Sequence, residues 1–410
     1  MTIAFLTLGC KLNYAETSTY ERGFKEAGLQ VVGWKDKADI YLINTCSVTA
    51  TSDAKSRNLI RKVHRINPEA RIIVTGCSAE LRRAEIEKIE GVSRVFGANE
   101  KSRVVPETLG RTLDENDTSS VFGAYSTGER TRSFLKVQDG CNNFCKYCTV
   151  PYARGESRNL PICVCVRNAR LIAAEGVKEV VLTGVNTGDF GRTTGESFLD
   201  LLKALNEVEG IERYRISSIE PNLITEEIVD WIASGTKFQP HFHIPLQTGS
   251  DIQLERMGRH YDTEFFERKI SYIREKMEAP GKPKVFFGID VMVGLPGESE
   301  ELFEQTCRFI EKIRPAFIHV FPYSRRPGTP AAEMDGQVDE AEKARRVAVL
   351  EELCTRLHEE FCKANRGVAE RVLFESTRRG GKMEGYTGNY IRVERDYDAA
   401  LVGKLSEVIL

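Results

Sequence analysis

The chain has 410 residues, of which 41% are hydrophobic, and its formal net charge is −2. This length predicts two or three domains, and the near-neutral charge means that affinity for nucleic acid has to come from local basic patches. No run of about 18 apolar residues is present to span a membrane, and residues 1–8 lack the basic start of a secretion signal. We therefore expect a cytoplasmic protein, in which eleven cysteines are more typical of metal ligation than of disulfides.

Residues 1–112 alternate between apolar strands and amphipathic helices. The predicted strands are residues 3–8, 39–43 and 71–75. The predicted helices are residues 14–27, 51–66 and 79–89. Alternation of this kind predicts an α/β domain with a Rossmann-like parallel sheet that is covered by helices on both faces.

A cysteine follows each of these three strands closely. The local sequences are Leu-Gly-Cys10-Lys-Leu-Asn, Asn-Thr-Cys46-Ser-Val and Thr-Gly-Cys77-Ser-Ala. Because the carboxyl ends of parallel strands lie at one edge of a sheet, we expect Cys10, Cys46 and Cys77 to converge there. Free cysteines are often small buried apolar residues, but three in succession favour an iron–sulfur cluster site.

A linker of low periodicity is predicted over residues 113–126, and strand–helix alternation resumes in residues 127–357. The predicted strands are residues 133–137, 179–183, 214–218, 241–245, 284–293 and 316–322. In barrels of such strands the active groups lie at the carboxyl ends, so the polar residues that follow each strand are candidates for a site.

Cys141, Cys145 and Cys148 stand at C-x3-C-x2-C spacing, with no fourth Cys or His within ten residues. Structural zinc normally takes four protein ligands, and an ordinary iron–sulfur cube takes four cysteines. Three thiolates therefore favour a [4Fe–4S] cube with one open iron over a zinc knuckle or unpaired core cysteines. The spacing resembles that of the radical S-adenosylmethionine (SAM) enzymes.

This resemblance implies an open (βα)6 barrel, in which SAM binds the open iron and is split to a 5′-deoxyadenosyl radical. It also implies which residues contact SAM. The matching positions are Tyr147 beside the adenine, Asn186, Ser218 and Glu220 near the amino acid part, and Gln247 near the ribose. A structural polar group is the alternative at each position. Arg154, which follows the cysteine loop, is expected either to neutralise charge in the site or to form a salt bridge.

Residues 360–410 predict a small all-β domain after a long charged helix over residues 338–365. Short strands with glycine-rich turns predict a small barrel, which resembles the TRAM domain, an RNA-binding module. Its basic residues would contact phosphates and its tyrosines would stack on unpaired bases. The candidates are Arg378, Arg379, Lys382, Arg392, Tyr386 and Tyr390. A second basic surface is predicted on the helix at residues 51–66, and solvated side chains are the alternative for both surfaces.

The cysteine-bearing first domain before a radical-SAM core resembles the methylthiotransferases over essentially the whole chain. The resemblance implies two [4Fe–4S] clusters, of which Cys10, Cys46 and Cys77 hold the auxiliary one, and SAM as a further cofactor. Because the cofactor carries the chemistry, no side chain is expected to act as a catalytic base. The implied partners are the anticodon stem-loop of tRNA and an electron donor such as flavodoxin or ferredoxin, while the sulfur donor is not indicated.

Three targets compete within this family. The residues around Cys10 and Cys46 most resemble the subgroup that adds a methylthio group to C2 of N6-threonylcarbamoyladenosine next to the tRNA anticodon. The alternatives are isopentenyladenosine in tRNA and an aspartate of a ribosomal protein. An alternative of another class is a non-catalytic iron–sulfur RNA-binding regulator, which would lack the SAM-binding strand ends that this sequence has.

Overall fold

A parallel sheet, an open parallel barrel and an antiparallel sheet follow one another along the chain. The computed structural model describes residues 1–111, 122–128 and 131–410. The predicted linker, residues 113–126, lies mostly outside these ranges. Its described end runs beside the first barrel strand, where the N–H of Ser126 donates to the carbonyl of Phe134 at 2.9 Å. None of the helices in the described ranges is long and apolar enough to cross a membrane.

The N-terminal domain is a parallel α/β unit. Its strands are β1 (Thr2–Thr7), β2 (Gln30–Val31), β3 (Ile40–Thr45), β4 (Arg71–Gly76) and β5 (Val92–Val95). They form one parallel sheet in the order β2-β1-β3-β4-β5. Its helices are α1 (Lys11–Glu26), α2 (Ala50–Ile66), α3 (Cys77–Leu81), α4 (Arg83–Ile86) and α5 (Val104–Thr108). Every residue of β3 is buried, as expected for a strand that has helices on both faces of its sheet.

Two details of this domain differ from the sequence prediction. The single helix predicted over residues 79–89 is interrupted at Arg82, which has φ −133° and ψ 33°. The Arg82 guanidinium donates to Asp53 at 3.1 Å and to Glu85 at 2.9 Å, so the break positions a cation beside α2. The edge strands β2 and β5 were not predicted, because they are short and largely exposed.

The central domain is an open barrel. Its strands are β6 (Arg132–Lys136), β7 (Gln138–Asp139), β8 (Arg158–Asn159), β9 (Glu179–Thr183), β10 (Arg213–Ile216), β11 (His241–Gln247), β12 (Phe286–Val293) and β13 (Phe317–Pro322). Strands β6, β9 and β10 form one parallel sheet, and β11, β12 and β13 form another. Bridges from Tyr214 to Phe238 and from Ser218 to His243 connect the two sheets. In the described ranges β6 and β13 do not pair with each other, which leaves the barrel open on one side.

Helices follow most barrel strands and pack against them. They are α6 (Val150–Arg154), α7 (Ile162–Ala174), α8 (Phe198–Asn206), α9 (Glu226–Ala233), α10 (Asp251–Arg256), α11 (Thr263–Met277), α12 (Glu300–Ile313), α13 (Pro330–Glu333) and α14 (Glu340–Ala364). Side-chain caps fix several helix starts, as where Ser299 accepts from the N–H of Leu302. The outward side chains of the strands form the main apolar core with these helices, as Leu182 and Ile289 do.

The C-terminal domain closes the amino end of the barrel. Its strands are β14 (Ala369–Arg379), β15 (Lys382–Tyr386), β16 (Arg392–Asp396) and β17 (Leu405–Ile409). They form an antiparallel sheet in the order β16-β15-β14-β17, which is open, whereas the sequence predicted a closed barrel. The turn after β15 enters the barrel, where buried Arg215 donates to the carbonyls of Thr387 and Gly388 at 2.7 Å each.

The N-terminal domain lies across the other, carboxyl end of the barrel. Arg326, which follows β13, donates to Asp53 at 2.6 Å and to Ser47 at 2.8 Å. Helix α1 packs along the barrel wall, where Ala15 shares an apolar cluster with Phe134 of β6 and Val181 of β9. The carboxyl ends of the strands in both domains therefore face each other.

Candidate active site

Cys10, Cys46 and Cys77, here called the auxiliary triad, converge where β1, β3 and β4 end side by side. The charges of Cys10 and Cys77 act on the Cys46 thiol, and that of Cys10 acts on the Cys77 thiol. Gly9 has φ +102°, and a Cβ there would lie 3.0 Å from the Cys46 sulfur. Gly76 has φ +99°, and its Cβ would lie 2.4 Å from a backbone oxygen of β3. Only glycine therefore lets the turn at Gly9 approach the Cys46 thiol and the turn at Gly76 approach the end of β3 so closely.

Local bonds fix the backbone around the auxiliary triad. The Asn13 amide donates to the carbonyls of Leu8 and Thr45 at 2.8 and 3.0 Å, which ties the ends of β1 and β3 together. Cys10 is the cap residue of α1, and a helix N-terminus favours negative charge on a nearby thiol. Burial raises the pKa of both Cys46 and Cys77, so a metal has to displace these protons when it binds.

Cys141, Cys145 and Cys148, here called the core triad, lie in the loop between β7 and α6. The N–H of Cys148 donates to the carbonyl of Cys145 at 2.9 Å, so the chain folds back tightly. Gly140 has φ +75°, and a Cβ there would lie 2.0 Å from the backbone oxygen of Glu156. Burial raises the pKa of Cys141 to about 11 and that of Cys148 to about 12, so these thiols are protonated near neutral pH until a metal binds.

Arg259 connects the core triad with two of the residues predicted to contact SAM. Its guanidinium donates to the Cys145 sulfur at 3.1 Å and to the Tyr147 hydroxyl at 3.4 Å, and it forms an ion pair with Glu220. The Tyr261 hydroxyl accepts from the same guanidinium at 2.9 Å. The geometry thus brings a cation, a carboxylate and an aromatic ring together beside Cys145.

The other predicted SAM residues lie at neighbouring strand ends. Asn186 follows β9, and its side-chain oxygen accepts from the N–H of Glu220 at 3.4 Å. Ser218 follows β10 and bridges to His243 of β11. Gln247 ends β11 at an irregular register with φ +69°. A side chain held in this left-handed region costs free energy and is often found at functional sites.

Arg154 lies between the two triads, and the structure shows the salt bridge that was one of the two roles left open by the sequence. It donates to Asp139 at 2.8 Å and to Glu16 at 3.3 Å, which makes it part of a buried salt bridge. It also donates to the Asn13 side chain at 2.5 Å and interacts with the thiol of Cys77. A side chain from α6, the helix that follows the core triad, therefore reaches the auxiliary triad.

Lys101 and Lys136 complete this buried network. Glu16 lies 2.8 Å from the Lys101 ammonium and 2.9 Å from that of Lys136, which is also 2.7 Å from Asp139. Burial alone would raise the pKa of Glu16, but the surrounding cations hold it at about 2. They likewise hold the pKa of Asp139 well below its usual range. With Arg158, which lies 3.9 Å from Asp139, four cations of the described residues face two carboxylates here, and the positive excess suits anionic thiolates next to it.

Comparison with known proteins gives the same two-part division of the chain. Residues 2–97 match the uncharacterized protein family UPF0004, and residues 135–310 match the radical SAM superfamily. A threonylcarbamoyladenosine tRNA methylthiotransferase of Bacillus subtilis is 39% identical, over 99% of this chain and 93% of that protein. A tRNA-2-methylthio-N6-dimethylallyladenosine synthase of Alkaliphilus oremlandii is 31% identical, over 98% of this chain and 88% of that protein.

The chain belongs to the methylthiotransferase family of radical SAM enzymes. A solved structure agrees at the level of the fold. The radical SAM methyltransferase of Kitasatospora setae, with tryptophan and a SAM analogue bound, superposes with a TM-score of 0.60 at 15% identity. The match covers 81% of this chain and 75% of that one.

The residues of this methylthiotransferase fit the cofactors of its family, which are SAM and [4Fe–4S] clusters. Each triad offers three sulfur donors of the kind that iron–sulfur clusters take. Gly9, Gly76 and Gly140 keep side chains out of the turns beside them. Arg154 and Arg259 place positive charge beside thiols. Donor type, space and charge therefore agree with an anionic cluster at each triad.

The predicted RNA-binding residues fall into groups with different surroundings. Arg378 and Arg379 are exposed at the end of β14, and no carboxylate among the described residues forms an ion pair with them. Lys382 pairs with Glu394 at 2.8 Å, and Arg392 pairs with Glu384 at 2.7 Å. Arg379 and Arg378, whose guanidinium lies 5.2 Å from the ring centre of Tyr397, can meet a phosphate without giving up an ion pair, whereas the others would have to exchange partners.

Tyr386 and Tyr390 face the barrel. The Arg132 guanidinium lies 4.8 Å from the ring centre of Tyr386, and that of Arg215 lies 4.7 Å from the ring centre of Tyr390. Tyr390 also packs 5.1 Å from His241. The structure thus places both rings in the contact between domains.

Sequence reasoning missed Arg259 and Glu16. Arg259 contacts a cysteine that is 114 positions away in sequence, and nothing near it in the chain signals this. Glu16 carried a signal, because it lies on the same buried face of α1 as Leu12 and Tyr20. A carboxylate on an otherwise apolar helix face has to find a cation when it is buried.

Proposed function

We propose that this methylthiotransferase adds a methylthio group to C2 of N6-threonylcarbamoyladenosine next to the anticodon of tRNA. The observation that carries the proposal is that two cysteine triads meet at one barrel mouth, with Arg154 between them. Insertion of sulfur into a C–H bond needs one centre for the radical and one for the sulfur. A non-catalytic RNA-binding protein needs neither.

The side chains serve to bind and orient. The C2–H of a purine is not usefully acidic and offers no leaving group, so a general base has no task here. When bound, SAM and the two clusters supply the radical and the sulfur. Arg259 holds Glu220 in place beside Cys145, and Arg154 fixes the loop of the core triad against α1. Each triad has one buried cysteine, Cys46 in the auxiliary triad and Cys145 in the core triad.

We assign the ligands and contacts as follows. The auxiliary triad holds one [4Fe–4S] cluster, and the core triad holds the cluster that binds SAM. The side chains at the carboxyl ends of the barrel strands contact SAM, and they are Tyr147, Asn186, Ser218, Glu220 and Gln247. Their support is that Arg259 and the backbone of Glu220 connect several of them around the core triad.

The subgroup assignment rests on sequence likeness. The relative named for threonylcarbamoyladenosine is 39% identical, and the relative named for dimethylallyladenosine is 31% identical. The residues after Cys10 and Cys46 point the same way. The isopentenyl substrate is therefore the second candidate.

Two basic surfaces support binding of the tRNA anticodon stem-loop. Arg378 and Arg379 form one of them, with Lys382 and Arg392 on the neighbouring strands. The exposed side chains of α2 form the other, and they are Lys55, Arg61, Lys62 and Arg65. Phosphate contacts of this kind supply affinity without sequence specificity.

The proposed function also implies the roles of the domains, the electron donor and the cellular compartment. We divide the chain into an auxiliary-cluster domain at residues 1–112, a radical-SAM core at 127–357 and an RNA-binding domain at 360–410. A reduced flavodoxin or ferredoxin would supply electrons, and tRNA as substrate places the reaction in the cytoplasm.

The function can be tested in a bacterial host whose tRNA contains threonylcarbamoyladenosine but not its methylthio derivative. Expression of the wild-type chain should produce the methylthio nucleoside, which mass spectrometry of digested tRNA detects. Variants with Ala at all positions of either triad should produce none. Only the variant of the auxiliary triad should still form 5′-deoxyadenosine after purification. A methylthio group on isopentenyladenosine instead would support the second candidate.

A further inference from the structure

A polar cluster inside the barrel is not used by the reaction as described so far. His243, Asp290 and His319 lie on the neighbouring strands β11, β12 and β13, and their ligand atoms all lie within 4.8 Å of one another. His243 Nε2 is 2.9 Å from an Asp290 carboxylate oxygen, so Asp290 orients this imidazole. The His319 ring centre is 5.1 Å from that of His243. His319 is exposed and makes no hydrogen bond to any described residue.

Lys11 brings positive charge to this cluster from the N-terminal domain. It follows Cys10 of the auxiliary triad directly and is exposed. The charges of Lys11 and Asp290 act on each other, and the charge of Lys11 acts on His319 and His241, so Lys11 lies close to the barrel interior. Within the described part of the chain, no carboxylate forms an ion pair with it.

The other cations of the barrel interior are already satisfied. Arg215 pairs with Glu179 at 2.7 Å, and Arg132 pairs with Glu375. Among the described residues, Lys11 is therefore a cation without an ion-pair partner, close to the auxiliary triad and beside two imidazoles, one of which already holds the Asp290 carboxylate. This charge pattern attracts an anion. A metal cation at the two histidines and Asp290 would instead face the positive charge of Lys11.

We infer that Lys11, His243 and His319 form the pocket for the threonylcarbamoyl group, with Lys11 binding its carboxylate. The inference rests on the proposed function. On adenine, C2 and the carbon that carries N6 flank the same ring nitrogen. A residue next to the sulfur-carrying triad is therefore in reach of a carboxylate on the N6 substituent. The imidazoles offer partners for the hydroxyl and the carbamoyl group of that substituent.

This pocket explains how a tRNA with an apolar N6 substituent is rejected. An isopentenyl group would leave the Lys11 ammonium and the His319 imidazole without partners, whereas His243 would keep only Asp290. Sites built to bond a polar group discriminate strongly against analogues that lack it, because the unpaired groups of the protein lose their hydration without compensation.

The test uses the reconstituted full-length enzyme and two anticodon stem-loop RNAs. One carries N6-threonylcarbamoyladenosine, and the other carries the same nucleoside with its carboxylate as a methyl ester. Dissociation constants from fluorescence anisotropy and KM values for methylthiolation are measured at equal iron content. The wild type should bind the acid at least about tenfold more tightly than the ester, as expected for a hydrogen bond to a charged group.

Variants separate the parts of the pocket. Lys11→Gln should remove the preference for the acid, and Lys11→Arg should retain most of it. His319→Phe should weaken binding of both RNAs and leave their ratio unchanged. Lys25→Gln, at the exposed far end of the same helix, is the matched control and should behave as the wild type.

Each contrary result has a distinct meaning. Equal affinity of the wild type for acid and ester, or equal loss of both in Lys11→Gln, overturns the pocket even if the acid is methylthiolated. A preference for the acid that depends on Lys11, without any methylthio product, supports the pocket and contradicts the proposed reaction. A metal ion beyond the cluster iron that the wild type retains and His319→Phe loses would overturn the inference.

Discussion

Glu16 is central to the contact between the N-terminal domain and the barrel domain. It lies in α1 of the N-terminal domain, while Lys136 and Arg154 belong to the barrel domain. Removing one partner of a buried ion pair is costly, because it leaves the other charge without compensation. The position of one triad over the other therefore depends on the buried charges of Glu16, Lys136 and Arg154. The sequence pattern of α1 alone does not predict that these charges are buried.

Glu16→Gln should make the stability of the cluster-free protein less dependent on acid pH. The pKa of Glu16 is about 2 when folded, against 4.5 for a free side chain. Its ionised form therefore contributes stability above about pH 4.5, which is lost as pH falls towards 2, and the shift corresponds to about 3 kcal/mol. Denaturant unfolding between pH 7 and 3 measures this slope. Glu21→Gln, which removes a surface pair with Lys25, should leave the slope as in the wild type.

Arg259→Met should weaken radical formation without loss of iron. The guanidinium donates to the Cys145 sulfur and pairs with Glu220. Hydrogen bonds to cluster sulfurs raise reduction potentials, so the core cluster of the variant should have a lower midpoint potential. Formation of 5′-deoxyadenosine should fall about tenfold or more. Arg268→Met, at an exposed surface pair, serves as control, and an unchanged potential in Arg259→Met would show that this contact does not tune the cluster.

Strands and helices were largely predictable from the sequence, because the buried residues within each element follow a regular pattern. β9 has the predicted bounds, since all five of its residues are apolar or buried and turns enclose them. The prediction was wrong where a distant partner decides local structure. Arg82 interrupts the helix that its neighbours favour, and its partner Asp53 lies in α2. Sequence periodicity contains no information about such partners.

The C-terminal sheet is a second case in which a distant contact could not be predicted from the local sequence. Its strands follow from glycine-rich turns and short alternating runs, but their sequence suggests a separable module. In the structure Arg215 of the barrel depends on carbonyls of the turn after β15. Deletion of residues 368–410 would therefore leave a buried cation with fewer partners, and surface substitutions are the better test of RNA binding.

The double substitution Arg378→Gln and Arg379→Gln in the C-terminal sheet should weaken the binding of tRNA. Each lost phosphate contact lowers the slope of log K against log salt by about one, so the double variant should lower it by about two. Formation of 5′-deoxyadenosine without tRNA should be unaffected, because both triads lie in other domains. Filter binding at several salt concentrations measures the slope. Lys404→Gln in the same domain is the control, and an unchanged slope in the double variant would place the RNA elsewhere.

At the scale of the whole molecule, the sequence located both triads but not the way they meet. Cysteine spacing and position after strands are local features, and they sufficed to select Cys10, Cys46, Cys77 and the core triad. Their relation depends on Arg154, Asp139 and Glu16, which come from three separate segments. A buried charge network of this kind forms only when the domains are docked, so no single segment of sequence predicts it.

Competition between two tRNA substrates in one anaerobic reaction tests the central claim most directly. The reconstituted enzyme receives equal amounts of tRNA with N6-threonylcarbamoyladenosine and tRNA with isopentenyladenosine, together with SAM and a reductant. Mass spectrometry of the digested nucleosides then gives both methylthio products. We expect the methylthio derivative of threonylcarbamoyladenosine in large excess. Preferential modification of isopentenyladenosine, or no methylthio product while 5′-deoxyadenosine accumulates, would contradict it.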